Sequence, residues 1–184
     1  MSGFFGHLRT VNRHRRQVRK NCFRAGLIWQ GLTHDLSKYS PSEFITGAKY
    51  YQGSRSPNER EREIFGASKA WMHHKGRNKH HFEYWIDINP NTKNYEPVRM
   101  PIKYVGEMFC DRVAASKIYY GSNYTDATPL AYYSRGQDRT RLHKETREIL
   151  EDLLNTLANE GETAVFEKLK KLIKEDKKCI KKKH

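Results

Sequence analysis

The chain has 184 residues, 36% hydrophobic and 12% aromatic, without a Gly/Ser-rich or Pro-rich linker, which excludes a disordered chain and suits one domain with a sizeable core. Its longest apolar runs are a few residues, too short for a bilayer span, and "MSGFFGHLRTVNRHRRQVRK" has basic residues but no apolar signal segment, so a cytoplasmic protein with no membrane partner is expected. The formal charge of +14 gathers in Arg9, Arg13, Arg15, Arg16, Arg19, Lys20 and Arg24 and in the tail "KEDKKCIKKKH", a field that favours phosphorylated small molecules, nucleotides or nucleic acid.

In chain order, Val11, His14, Val18, Cys22 and Ala25 recur at three- and four-residue steps and predict a helix over 8–24 with one buried face. "RAGLIWQGLTHDL" reads as a second, more buried helix that carries His34 and Asp35. "SPSE" (Ser40, Pro41, Glu43) and "SPNE" (Ser56, Pro57, Glu59) both show a capping serine, a first-turn proline and a glutamate at the third position, and predict helices near 41–51 and 57–75. The second of these places Ile64, Ala67, Trp71 and His74 on one stripe. "KHHFEYW" reads as a further helical turn, and "DINPNTKNYEP" as an exposed connection. Pro101 opens a helix with Tyr104, Met108, Asp111, Ala115 and Ile118 in line. After "TPLAYY" come two amphipathic helices, marked by Ile149, Leu150, Leu153, Leu154 and Leu157, ending at "NEG", and by Val165, Phe166, Leu169, Leu172 and Ile173. No strand pattern is evident, so the fold class is all-α. Three cysteines without C-x-x-C spacing exclude a disulfide framework and a thiolate zinc site, and Cys22 and Cys110 read as buried apolar residues.

Polar groups that cannot sit unpartnered in a core carry the chemistry. His14, His34, Asp35, His74, His80 or His81, and Asp111 fall on predicted helices, several facing inward. Imidazoles and carboxylates from separate helices, converging in a bundle core, build metal sites. Five or six such ligands exceed what one tetrahedral zinc needs, which points to one or two divalent ions among Mn, Fe, Co, Ni, Zn and Mg. Within the doublets, His74 is favoured over His73 by its stripe, and His80 slightly over His81. Lys38, Lys75, Arg77 and Lys79 are the cations, and Asn78 the neutral donor, best placed for a phosphate.

The order His14, then His34–Asp35 in "LTHDLSK", then Asp111, resembles the H…HD…D signature of the HD-domain metal-dependent phosphohydrolases. His74 and His80 or His81 resemble the extra histidines of dinuclear members, although their mutual gap is shorter than in many of these. Segments like "CFRAGLIWQGLTHDLSKYSPSEF" and "HHKGRNKHHFEYW" also resemble a poorly characterised family of bacterial and phage proteins. The HD resemblance implies an HD-like helical bundle with a metal-binding core over about 8–120, supporting helices over about 128–176 and a basic tail at 177–184. It implies one metal on His14, His34, Asp35 and Asp111, with Asp35 bridging to a second on His74 and His80 or His81. The implied activity is hydrolysis of a nucleotide or related phosphoester, as a phosphomonoesterase or phosphodiesterase, by metal-activated water, with Asp35 and Lys38 as catalytic residues.

Two other functions fit the same residues. The ligand set resembles that of dinuclear-iron oxygenases such as inositol oxygenase, and the basic first helix suits a nucleic-acid-binding module whose histidines are structural. Several residues have plainer readings: Glu43 as a capping residue rather than a ligand, Trp71, Tyr84 and Trp85 as core rather than a base-stacking wall, and His7, His143 and His184 as bystanders. Glu83 is a candidate to orient His80.

Overall fold

The computed structural model describes residues 2–53, 55–136 and 138–181. His184 and the side chain of Cys179 lie outside the described residues. The chain is essentially all-α: α1 (Ser2–Arg24), α2 (Ile28–Thr33), α3 (Pro41–Lys49), α4 (Pro57–Phe65), α5 (Lys69–Arg77), α6 (Ile102–Tyr120), α7 (Thr128–Arg135), α8 (Asp138–Arg141) and α9 (Lys144–Lys181). A two-stranded antiparallel hairpin, β1 (Ile86–Ile88) with β2 (Tyr95–Pro97), occupies the segment expected to be an irregular connection. Its residues are mostly exposed, so it lacks the apolar alternation that identifies a half-buried strand.

α6 is the axis of the molecule. α1 packs on one side of it and α9 on another, and Val105, Phe109 and Val113 of α6 meet Val18 and Cys22 of α1 and Leu153, Leu157, Phe166 and Leu169 of α9 in one apolar core. The Phe109 and Phe166 rings meet edge to face with centroids 6.0 Å apart. Buried Asn21 ties α1 to α6 by donating from its side-chain amide to the Cys110 carbonyl at 3.1 Å. Cys22 and Cys110 are buried free thiols, as expected. α9 contains the two expected amphipathic segments, broken at Gly161, whose φ of 84° leaves the helix where "NEG" marks an end.

Two expected helices are divided. The stretch expected as a helix over 57–75 is two: Gly66, at φ 75°, closes α4 with its amide on the Arg62 carbonyl, and the Ser68 hydroxyl opens α5 by accepting from the Trp71 amide. Ile64 therefore shares no stripe with His74 and is exposed. "RAGLIWQGLTHDL" is likewise interrupted. α1 runs to Arg24, α2 ends at Thr33, and a short 3₁₀ helix spans Leu36–Tyr39. His34 and Asp35 stand in the break, not on a helix: His34 is extended at φ −49°, ψ 125°, and Asp35 is left-handed at φ 52°, ψ 30°. Aspartate is among the few non-glycine residues that accept that conformation readily.

Candidate metal centre

Four parts of the chain deliver polar side chains to one place: the middle of α1, the α2 break, the α5 end with the turn after it, and the middle of α6. Asp35 lies at the centre. Its Oδ1 is 3.3 Å from His74 Nε2 and 3.5 Å from His80 Nε2; its Oδ2 is 3.3 Å from His34 Nε2 and 2.7 Å from Lys38 Nζ. Asp111 completes the far side, with Oδ1 2.9 Å from His14 Nε2 and 3.7 Å from His34 Nε2, and Oδ2 3.9 Å from His80 Nε2. His34, Asp35, His74 and His80 are buried, whereas His14, His81 and Asp111 are partly so.

The ring nitrogens are oriented from behind. Glu107 Oε1 lies 2.9 Å from His34 Nδ1 and 3.2 Å from His80 Nδ1, and Glu43 Oε2 lies 2.8 Å from His74 Nδ1. An Nδ1 proton donated to a carboxylate leaves the Nε2 lone pair free, the tautomer that a metal requires. His14 Nε2, His34 Nε2, His80 Nε2, His81 Nε2 and Asp35 Oδ1 are all buried without a hydrogen bond, the close approach of His14 to Asp111 lacking hydrogen-bond alignment. Buried polar atoms left so are costly, about 1–3 kcal/mol each, and four ring nitrogens around one carboxylate form a set that could hold a cation. Three groups of metal-ligand type lie here: Asp35–His74–His80–His81 and His14–His34–Asp35, which share Asp35, and His34–His80–Glu107.

The charges are consistent with this. Burial raises the Asp35 carboxyl, but His34, Lys38 and His74 outweigh it and hold it well below the usual range. Burial likewise opposes ionisation of Asp111 and Glu107, and the neighbouring imidazoles of His14 and His34 beside the first, and of His34 and His80 beside the second, keep both low. Burial pushes the His81 imidazole far down, aided by His80 and His74, and pushes His14 down against Asp111, so both are neutral ligand-type rings. His34 is the exception: burial lowers it, yet Asp35, Asp111 and Glu107 together lift it well above the ordinary value.

All seven residues expected as ligands, His14, His34, Asp35, His74, His80, His81 and Asp111, thus meet at this cluster, and both members of the His80–His81 doublet belong to it. His73 instead stands behind it, with Nδ1 2.6 Å from Glu43 Oε1. Glu43 makes no capping contact with Ser40, whose hydroxyl lies 3.0 Å from that of Ser42; the plain capping reading gives way to one in which Glu43 holds two imidazoles. Glu107 was not singled out from the sequence, although it lies one turn before Asp111 on the same face of α6. The carboxylate that orients His80 is Glu107, where the sequence suggested Glu83. Arg15 also contributes, donating to the His34 and Leu32 carbonyls at 2.7 and 3.2 Å and so fixing the end of α2.

A cavity of about 610 Å³ opens on the cluster, lined by His14, Asp35, His74, His81 and Asp111 and, beyond them, by Tyr51, Tyr119 and Tyr132 among others. Lys38 lies on its wall. Lys75, Arg77, Asn78 and Lys79, also expected to hold phosphate, do not line it. The Asn78 amide is used internally, donating to Ser37 Oγ and the His74 carbonyl, both at 2.8 Å, and Lys79 lies over the Tyr84 ring. Of the aromatic trio, Trp71 faces the cavity beside His81, while Trp85 packs on Tyr104.

Glu107→Gln keeps the size of the side chain but removes the charge shared by two imidazoles. Its expected cost is roughly 10–100-fold in divalent-metal affinity with unchanged helix content. Chelator competition measures this, and an affinity within twofold of wild type would exclude the orienting role.

No curated protein and no solved structure matches the chain. The model of a family of unknown function, DUF5662, matches residues 3–156, a span that contains every residue of the cluster.

Proposed function

Because the chain belongs to the DUF5662 family, whose function is unknown, we propose its activity from the site: metal-dependent hydrolysis of a phosphoester, a nucleotide or related compound, in the cavity beside Asp35. The observation that carries the proposal is the convergence of four buried imidazole nitrogens without hydrogen bonds on one carboxylate. The donor set, neutral imidazole with carboxylate, suits a borderline divalent ion, and the shared Asp35 suits two. The HD-type order of His14, His34–Asp35 and Asp111 supports the same reading. When bound, a pair of such cations lowers the pKa of a shared water and neutralises charge on a phosphoryl group.

The chain's own residues supply the rest. Asp35 links two of the ligand groups, and Glu107 and Glu43 set the imidazole tautomers. Lys38, anchored on Asp35 Oδ2 and facing the cavity, is the cation for a phosphate oxygen. Elemental analysis followed by an anaerobic screen of phosphomonoesters and phosphodiesters with added Mn²⁺, Co²⁺ or Mg²⁺ tests the proposal. Turnover without oxygen is expected; turnover that requires oxygen and bound iron would replace hydrolysis with oxygenation.

A further inference from the structure

A second surface is unused by the cluster. On α2 the side chains of Ile28, Trp29 and Leu32 point outward, and Phe23 of α1 and Leu36 just beyond α2 are exposed with them; Trp29 is 71% exposed. Residues 28, 29 and 32 are neighbours on a helix face, and Phe23 packs over Gly31, bringing α1 beside them. None of these five apolar residues lines the cavity. Arg15 reaches the C-terminal end of α2 while Phe23 reaches its middle, so α2 runs back along α1, and Arg16, Arg19 and Lys20 lie on the stretch of α1 between those two contacts. All three cations are exposed, and among the described residues no carboxylate pairs with them. The first acidic residue of the chain is Asp35.

We infer that this face docks on an anionic phospholipid surface, with Trp29, Ile28, Leu32 and Leu36 entering the headgroup boundary and Arg16, Arg19 and Lys20 meeting lipid phosphates. The occupant follows from the pairing of chemistries. A nucleic acid would satisfy the cations but offers nothing apolar to the exposed aliphatic side chains. A second copy placed by a two-fold axis would bring this basic face against itself, with no carboxylate before Asp35 in either chain to offset it. A bilayer surface supplies both the apolar depth and the negative charge, and tryptophan favours that boundary. No described helix is long and apolar enough to cross a membrane, and docking of this kind needs none. The inference is independent of the hydrolase proposal and amends the expectation of no membrane partner.

Cosedimentation of the full-length protein with phosphatidylcholine vesicles, with and without phosphatidylglycerol, tests it. Binding is expected only to the anionic vesicles. Arg16→Gln/Arg19→Gln/Lys20→Gln should weaken it by roughly a hundredfold, and Trp29→Ser/Leu32→Ser by about tenfold, each with unchanged melting temperature. Failure to bind anionic vesicles overturns the inference. So does equal binding of both variants, which would assign the interaction to the lysines of α9, and so does a preference for an acidic amphipathic peptide over vesicles.

Discussion

Asp35→Asn protein is expected to fold with its helix content unchanged and to lose both divalent-metal binding and the proposed phosphoester hydrolysis. Asparagine is the informative replacement because of the backbone: residue 35 is left-handed at φ 52°, a conformation that asparagine accepts and alanine resists. Alanine would add strain at the turn that aims His34, confusing a folding defect with a ligand defect. The neutral amide keeps the shape but removes the charge that lies 3.3 and 3.5 Å from the His74 and His80 ring nitrogens and 2.7 Å from Lys38. As Asp35 is common to two of the three ligand groups, its loss should exceed the roughly 10–100-fold penalty of disturbing Glu107. Metal content by elemental analysis and turnover in the phosphoester screen are the readouts. Full metal content with undiminished turnover would remove Asp35 from the metal centre.

The candidate ligands were legible in the sequence because their types are rare in apolar surroundings: His14 sits in the Val11–Val18–Cys22 stripe and Asp111 in the Met108–Ala115 stripe, where only a partner explains them. The geometry that makes Asp35 central was not legible. A left-handed aspartate between two short helices leaves no glycine to mark it, and the apolar run "AGLIWQGL" continues the helical pattern up to the break. Two similar strings show how a local signal can yield to a distant contact. Ser56 caps α4 as "SPNE" predicts, whereas in "SPSE" Ser40 makes no cap and Glu43 is drawn to His73 and His74, some thirty residues away. Glu107 escaped notice for the same reason, since its partners lie on other elements. The surrounding all-α frame was readable from its periodicity, and the divisions at Gly66 and Gly161 carried glycine signals of which only the second was used.

Divalent metal is expected to raise the melting temperature strongly, and a chelator to reverse the rise. Without a cation, the fold holds His14, His34, His80 and His81 nitrogens and an Asp35 oxygen out of water with no hydrogen bond, a cost borne by the folded state alone. An ion that binds the folded chain at a free concentration a thousandfold above its dissociation constant adds about 4 kcal/mol. For a domain of this size each kcal/mol shifts the midpoint by about 2–4 °C, so a rise of roughly 8–16 °C should follow. The same addition should leave the Asp35→Asn midpoint nearly unmoved, which separates binding at this cluster from weak binding at surface carboxylates. A wild-type midpoint indifferent to both metal and chelator would mean that the converging imidazoles are a structural polar network, and the hydrolytic reading would lose its foundation.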